Sequence, residues 1–294
     1  MKKILWFSLL VTGLLLIGEF IVRSIETSYI YKAEWLRKNG DKVNTLVLGS
    51  SHTYYGVNPS ILGDSAFNLA NISQTPEYDF AMLKEFHPYM KNLKRVILPV
   101  SYFTFRDPVL EEMDRGLCVQ YKVGMKLPLH SDYSLYNLCL TDFKSYSGRL
   151  RNLVASQELN RCDSLGFGLG FDLSHRDANW KMGAKERAKD LTQDSPGRAS
   201  VVEKVLEELT DYCRKHNIEV IFITTPVWSG FREAMNDGQY REMRAEINEI
   251  KMERGIRYFD FFSSEDFTDE DFHDSDHLSD IGAEKLTRML RDSL

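Results

Sequence analysis

The run Val43-Asn44-Thr45-Leu46-Val47-Leu48-Gly49-Ser50-Ser51-His52 breaks off abruptly: a short, mostly apolar stretch ends in Gly-Ser-Ser. Such a stretch reads as a buried strand that delivers a tight turn. The same rhythm recurs at 66–70, at 95–100, at 218–224 and at 256–262, with Pro99 marking the end of the third strand. Helical spacing fills the intervals. Over 76–93, Phe80, Leu83 and Phe86 share one face, and Met90 follows a turn later. Over 196–216, Val201, Val205, Leu206 and Leu209 point inward. A charged helix covers 232–254, and its charges suit a solvated face with i,i+4 pairs. The last helix covers 279–294, with Ser279 as N-cap and Asp280 in its first turn. Five short strands alternating with helices predict an α/β domain around a mostly parallel five-stranded sheet.

Ligands of such sheets bind beyond the carboxyl ends of the strands. Ser51, Gln74 and Ser101 follow the first three strands. The turn Thr225-Pro226-Val227-Trp228 follows the fourth, and Asp274-Ser275-Asp276-His277 follows the fifth. Topology therefore brings all of them to one edge. A nucleophilic serine needs an exposed hydroxyl, a base within reach and a carboxylate to orient that base. Ser51 on its Gly-containing turn supplies the first. His277 is the expected base, and Asp274, three residues earlier, the expected carboxylate, with Asp276 its competitor. His52, Tyr55 and Trp228 are candidate substrate contacts. His52 is expected outside the chemistry, Tyr54 and Tyr55 equally suit packing, and Trp228 equally suits the core. His273, Asp274, Asp276 and His277 do not form a metal motif, because histidines at i and i+4 need a helix face and this segment precedes the helix. No metal and no other cofactor is expected.

The chain has 294 residues, 43% hydrophobic and 27% charged, which excludes a disordered chain. Its net charge is −6, without the basic footprint of a nucleic-acid binder. A mean hydropathy of −0.34 excludes a polytopic membrane protein but leaves room for one span. That span is visible over 4–22, after Met1-Lys2-Lys3, with Glu19 placed to reach the headgroups. A cleaved signal peptide and a buried helix are the rival readings. Segment 1–22 is thus expected as an anchor, 23–42 as a helical stalk, and 43–294 as the α/β domain. Residues 103–193 form an aromatic, polar insertion or cap, with a helical candidate over 133–154. Lys2 and Lys3 favour a cytoplasmic N-terminus and an extracytoplasmic catalytic domain. Cys118, Cys139, Cys162 and Cys213 would be allowed to pair there, and free core thiols fit equally well.

Gly49-Ser50-Ser51 resembles the first block of the SGNH/GDSL hydrolase superfamily, usually Gly-Asp-Ser. Asp274-x-x-His277, followed by Leu-Ser-x-x-Gly282, resembles its last block. Residues 46–62 and 67–75 resemble membrane-anchored SGNH-like proteins related to polysaccharide O-acetyltransferases and to D-alanyl transfer proteins of lipoteichoic acid. The resemblance covers 43–100 and 218–294. It implies a three-layer, flavodoxin-like fold and a covalent acyl-Ser51 intermediate. It further implies an acyl donor, with acetyl the expected group, and a carbohydrate acceptor in the bacterial cell envelope. A polytopic membrane acyltransferase is a partner implied by analogy alone. Ester hydrolysis and a catalytically weak accessory role are the alternatives. Three positions depart from the pattern. Ser50 replaces the Asp before the nucleophile. Gln74 stands where Gly commonly donates to the oxyanion, beside the Ser51 N–H. The turn after the third strand lacks the usual Asn, leaving the Ser101 hydroxyl as its substitute.

Overall fold

β1 (Thr45–Val47) is buried along its whole length. It pairs with β2 (Ala66–Asn68) on one side and β3 (Arg95–Pro99) on the other, and β4 (Glu219–Thr224) and β5 (Arg257–Asp260) continue the sheet beyond β3. Every pairing is parallel, in the order β2-β1-β3-β4-β5. Leu46 sits between Phe67 and Val96 in this register. Near-continuous apolar strands fit a sheet covered by helices on both faces, as here. The strand order reverses at β1 and β3, which opens a crevice at their carboxyl ends. This is the α/β architecture with a parallel five-stranded sheet expected from the strand rhythm, in the flavodoxin-like form that the resemblance implies. The computed structural model describes every residue except Asp64, 129–137, 140–142, 156–160 and 193–197.

In chain order the helices are α1 (Lys2–Ser24), α2 (Ser28–Asn39), α3 (Ser51–Tyr54), α4 (Pro59–Leu62), α5 (Pro76–Phe86), α6 (Leu110–Met113), α7 (Arg115–Val119), α8 (Phe143–Val154), α9 (Ala184–Asp190), α10 (Ala199–Lys215), α11 (Ser229–Ala234), α12 (Asp237–Arg254) and α13 (Asp280–Ser293). Several depart from the expected bounds for local reasons. α5 stops at Phe86 because Pro88 has no N–H to continue the ladder, and a single 3₁₀ turn follows. The helix expected over 232–254 is two helices. Met235 is extended, and the Asn236 side chain accepts the Gln239 N–H to start α12 afresh. On α10 the inward residue is Val202 rather than Val201, which is exposed. The expected start of that helix at Pro196 lies outside the described residues, as does much of the 133–154 candidate before α8.

The chain forms two compact units, Met1–Trp35 with Leu110–Arg161, and Leu36–Val109 with Cys162–Leu294. The stretch 103–193 therefore divides between them. In the first unit, α1 is long and apolar enough to cross a membrane, with a mean hydropathy of 2.2. Its Glu19 does not reach toward headgroups. It is buried, and its carboxylate accepts from Arg23 Nε at 2.7 Å and from the Cys139 N–H at 2.8 Å. α1 ends at Ser24 and Ile25 is extended, which breaks the expected stalk before α2 begins. All four cysteines are buried free thiols.

The second unit contains the sheet. Val47, Ile97, Ile221, Ile223, Leu286 and Leu290 are buried together between sheet and α13. A ring of hydrogen bonds ties the turn after β1 to the turn after β2. Asp79, buried on α5, accepts the Gly49 N–H at 2.7 Å and Gln74 Nε2 at 2.5 Å. The Gln74 side chain accepts from Asn71 Nδ2 at 2.9 Å, and the Asn71 N–H returns to the Gly49 carbonyl at 3.1 Å. Gly49 itself has φ 109°, and a Cβ there would fall on the Pro99 ring.

Two outcomes follow from this ring. Gly49→Ala combines a left-handed backbone with overlap on Pro99, so it should lose at least ~2 kcal/mol in urea denaturation; wild-type stability would contradict the reading. Burial pushes the Asp79 carboxyl up to about 7, against the pull of Gln74 and the Gly49 N–H. Unfolded, it titrates near ~3.9. The folded state therefore holds this proton more tightly, and the contribution of Asp79 to stability falls as pH rises from that value through about 7. Asp79→Asn keeps an acceptor oxygen and removes the titration. Its melting temperature should drop less than that of wild type between mildly acidic and mildly alkaline buffer.

Candidate active site

Ser51 opens α3 directly after the Gly49 turn, with extended Ser50 as its N-cap. Its side chain is half-buried, and Oγ lies 2.8 Å from His277 Nε2. On the other side of the ring, His277 Nδ1 lies 2.9 Å from Asp274 Oδ1 and 3.0 Å from Oδ2. Local chemistry explains why this loop holds its shape. Asp274 Oδ1 also accepts the backbone N–H groups of Asp276 and His277, at 3.0 and 2.8 Å. The His277 carbonyl accepts the His273 N–H, and Phe272 bridges Leu278. Ser279 then pins the exit: Oγ donates to the Glu270 carbonyl at 2.7 Å and accepts the Gly282 N–H as the cap of α13. This short loop thus presents an acid and a base on one side.

Asp276, in the same loop, is buried. Its Oδ2 lies 3.4 Å from His52 Nε2, its Oδ1 lies 3.6 Å from His277 Nδ1, and both oxygens accept from Arg187 Nε, at 3.1 and 3.0 Å. His52 is buried as well. Its Nδ1 sits 3.3 Å from Ser101 Oγ and 3.4 Å from Thr225 Oγ1, and its ring meets the His277 ring edge-on at 4.9 Å. His52 is therefore woven into the site and does not stand clear of it. Burial raises the cost of the Asp276 anion, but His277, His52 and Arg187 outweigh that and hold the carboxyl well below its usual range. Burial lowers the His52 pKa, and the neighbouring His277 adds to this. Burial pulls His277 down too, yet Asp276 and Asp274 prevail and its pKa lies above the ordinary value.

The remaining candidates occupy definite places. Gln74 directs its N–H to the Asn71 carbonyl at 3.4 Å, and its side chain belongs to the Asp79 ring. Ser101 directs its N–H to Thr104 Oγ1 at 2.8 Å and its hydroxyl to His52. Tyr55 is buried, stacks on Phe171 at 3.7 Å, and lies edge-on to His277 at 6.3 Å. Trp228 donates its backbone N–H to the Ser275 carbonyl at 3.0 Å, so it leans on the Asp274–His277 loop. Its indole donates to Asp269 at 2.9 Å and meets Trp180 at 5.1 Å.

His52, Asp276 and His277 bring three ligand-type atoms within 4.8 Å of one another, the spacing a metal would need. The Arg187 guanidinium already meets both Asp276 oxygens, so the cationic partner there is an arginine. A small cavity of about 20 Å³, room for about one water, lies beside the Gly49 turn between Gln74, Ser101, Asp79, Asp107 and Arg198. The buried Ser50 and Thr75 hydroxyls line it without a protein partner. Sequence reasoning misses Asp79 and Arg187. A charge between Tyr78 and Phe80 on an apolar helix face is the available signal for Asp79, and no signal marks Arg187.

A serine hydroxyl bonded to an imidazole that is itself bonded to a carboxylate can pass its proton to the imidazole and attack an electrophilic carbonyl. No protein-family model matches the chain, and no curated protein matches it. Solved structures with related backbones include a candidate acylhydrolase from Bacteroides fragilis, at 10% identity and a TM-score of 0.41, covering 85% of this chain and 86% of that one. A candidate lipolytic protein of the G-D-S-L family from Desulfitobacterium hafniense has 11% identity and a TM-score of 0.42, covering 86% of this chain and 99% of that one. A GDSL-like lipase from Bacteroides thetaiotaomicron has 8% identity and a TM-score of 0.42, covering 90% and 98%.

Proposed function

We propose that this chain is a serine acyltransferase or esterase of the SGNH/GDSL type, acting on acyl esters of a cell-envelope polysaccharide. The observation that carries the reading is the continuous hydrogen-bonded path from Ser51 Oγ through His277 to Asp274. Ser51 Oγ attacks the acyl carbonyl carbon while His277 Nε2 takes its proton. Asp274 holds the ring and stabilises the imidazolium. As the tetrahedral intermediate collapses, the bond to the leaving oxygen breaks and His277 returns the proton to that oxygen. In the second half a sugar hydroxyl, or water, attacks the acyl-Ser51 carbonyl. His277 takes the new proton and delivers it to Ser51 Oγ as the acyl group departs.

The apolar α1 supports anchoring at a membrane, with the second unit on the extracytoplasmic side. A polytopic membrane acyltransferase as donor completes this reading by analogy. A second reading rests on one observation: the Gln74 N–H goes to the Asn71 carbonyl, and the Ser101 hydroxyl is paired with His52 Nδ1. Losing an oxyanion donor typically costs ~10²–10³ in rate. The alternative is an accessory protein that keeps the fold and supports a membrane O-acyltransferase.

Incubation of the full chain with a fluorophosphonate probe and with p-nitrophenyl acetate separates the two. Labelling and ester cleavage should fall by ~10³-fold or more in Ser51→Ala and in His277→Ala. A folded wild-type chain that neither labels nor cleaves would favour the accessory reading. The pH dependence has a definite sign. His277 must be neutral to act as base, so the rate falls as pH drops through its pKa. That acid limb should lie above the ~6.5 of an ordinary imidazole.

A further inference from the structure

Among the charged groups at this edge of the sheet, Arg187 alone comes from α9, within the stretch that carries no sequence signal. Among the described residues, its hydrogen bonds all go to one carboxylate. Nε meets both Asp276 oxygens, and a terminal guanidinium nitrogen lies 2.9 Å from Oδ2. Asp276 is 2% exposed, whereas Asp274, the carboxylate seated on His277 Nδ1, is 38% exposed. A carboxylate as buried as Asp276 is costly unless its charge and its lone pairs are matched. Here the match is one guanidinium and two imidazoles.

We propose that Arg187 is a positioning residue of the site: it fixes the Asp276 carboxylate between His52 and His277, and through that carboxylate sets the orientation and basicity of His277. This rests on the reading of Ser51 and His277 given above. The geometry distinguishes the two acids. Asp274 makes the close bond and keeps contact with solvent. Asp276 is a buried charge that approaches the same ring nitrogen, Nδ1, from farther away, at 3.6 Å. The groups that face His277 are Asp274 and Asp276 from its own loop, Ser51, His52 and Tyr55 from the segment after β1, Phe171, and Arg187 from α9. Of these, the two carboxylates favour the imidazolium, and Arg187 opposes it. Arg187 also balances the Asp276 charge at His52, whose Nδ1 faces the Ser101 and Thr225 hydroxyls.

Arg187 and Asp276 therefore act on His277 with opposite signs, and a merely structural pair would not. The test is a histidine NMR titration of the full chain carrying ¹³C at the imidazole Cε1, for wild type, Arg187→Gln, Arg187→Lys and Asp276→Asn. Removing the arginine charge should move the His277 titration to higher pH. Removing the Asp276 charge should move it to lower pH, by about one unit or more for a charge this close. Arg187→Lys should stay near wild type. The acid limb of fluorophosphonate labelling should follow in the same two directions. Shifts of one sign in both variants, or no shift beside a lost rate, would overturn the proposal. Because Arg187 is 40% exposed, Arg187→Gln keeps the test informative should Asp276→Asn fail to fold. The titration reads His277 whether or not Ser51 reacts. Opposite shifts without any labelling would defeat the Ser51 reading and leave this one standing, and labelling without opposite shifts would do the reverse.

Discussion

The bond between Ser51 Oγ and His277 Nε2 closes 226 residues of chain, and everything else at the site depends on that closure. Neither residue holds the other by local structure. Ser51 is placed by β1, and His277 by the loop between β5 and α13. What brings them together is the parallel register of a sheet in which β1 sits at the reversal point and β5 at the edge. Parallel strands all discharge their carboxyl ends on one side, so turns far apart in sequence converge there. An antiparallel arrangement of the same strands would send half of these turns to the opposite edge.

Convergence alone gives proximity, and geometry within hydrogen-bond range needs more. Two polar networks supply it, one on each side of Ser51. The Asp79 ring joins Gly49 to Asn71 and Gln74, and so locks the turn from which Ser51 projects. The Asp276 network joins α9, His52 and His277. Each is centred on a buried carboxyl, and each closes on several partners. The two differ in electrostatic character. Asp79 accepts from neutral donors, and burial drives it toward the protonated form. Asp276 faces a guanidinium and two imidazoles, and remains an anion. The same residue type thus serves behind the turn as a carboxyl that titrates near neutral pH and near the imidazole as a fixed charge, by burial and partners.

Much of this architecture is legible in the amino-acid sequence. Periodicity places all five strands, because a buried parallel strand must be apolar and is ended by its turn. The Asp274-x-x-His277 spacing and the Ser279 cap are legible because both are local: a carboxylate three residues before a ring can reach it within one turn. Helix bounds are less legible. The break at Met235 hides in a charged run where Asn236 reads as one more polar surface residue. Val201 and Val202 are both apolar, and only packing chooses between them. Arg187 is invisible for a deeper reason. A surface-type residue on a short helix becomes part of the site only when the chain returns α9 to the edge where Asp276 lies.

That asymmetry separates the two acids next to His277. Asp274 can be assigned from sequence because its contact with the ring is a property of the loop. Asp276 cannot, because its role is set by what the rest of the fold places behind it. Both carboxylates in this loop lie near His277 Nδ1, but Asp274 stays in contact with solvent while Asp276 is buried. Once buried, the carboxylate must find a cation or surrender its charge. Arg187 provides that cation from a segment with no other evident tie to the chemistry. The fold thereby couples the stretch before α10 to the basicity of the imidazole, and any change in how α9 packs is felt at His277 through a single buried charge.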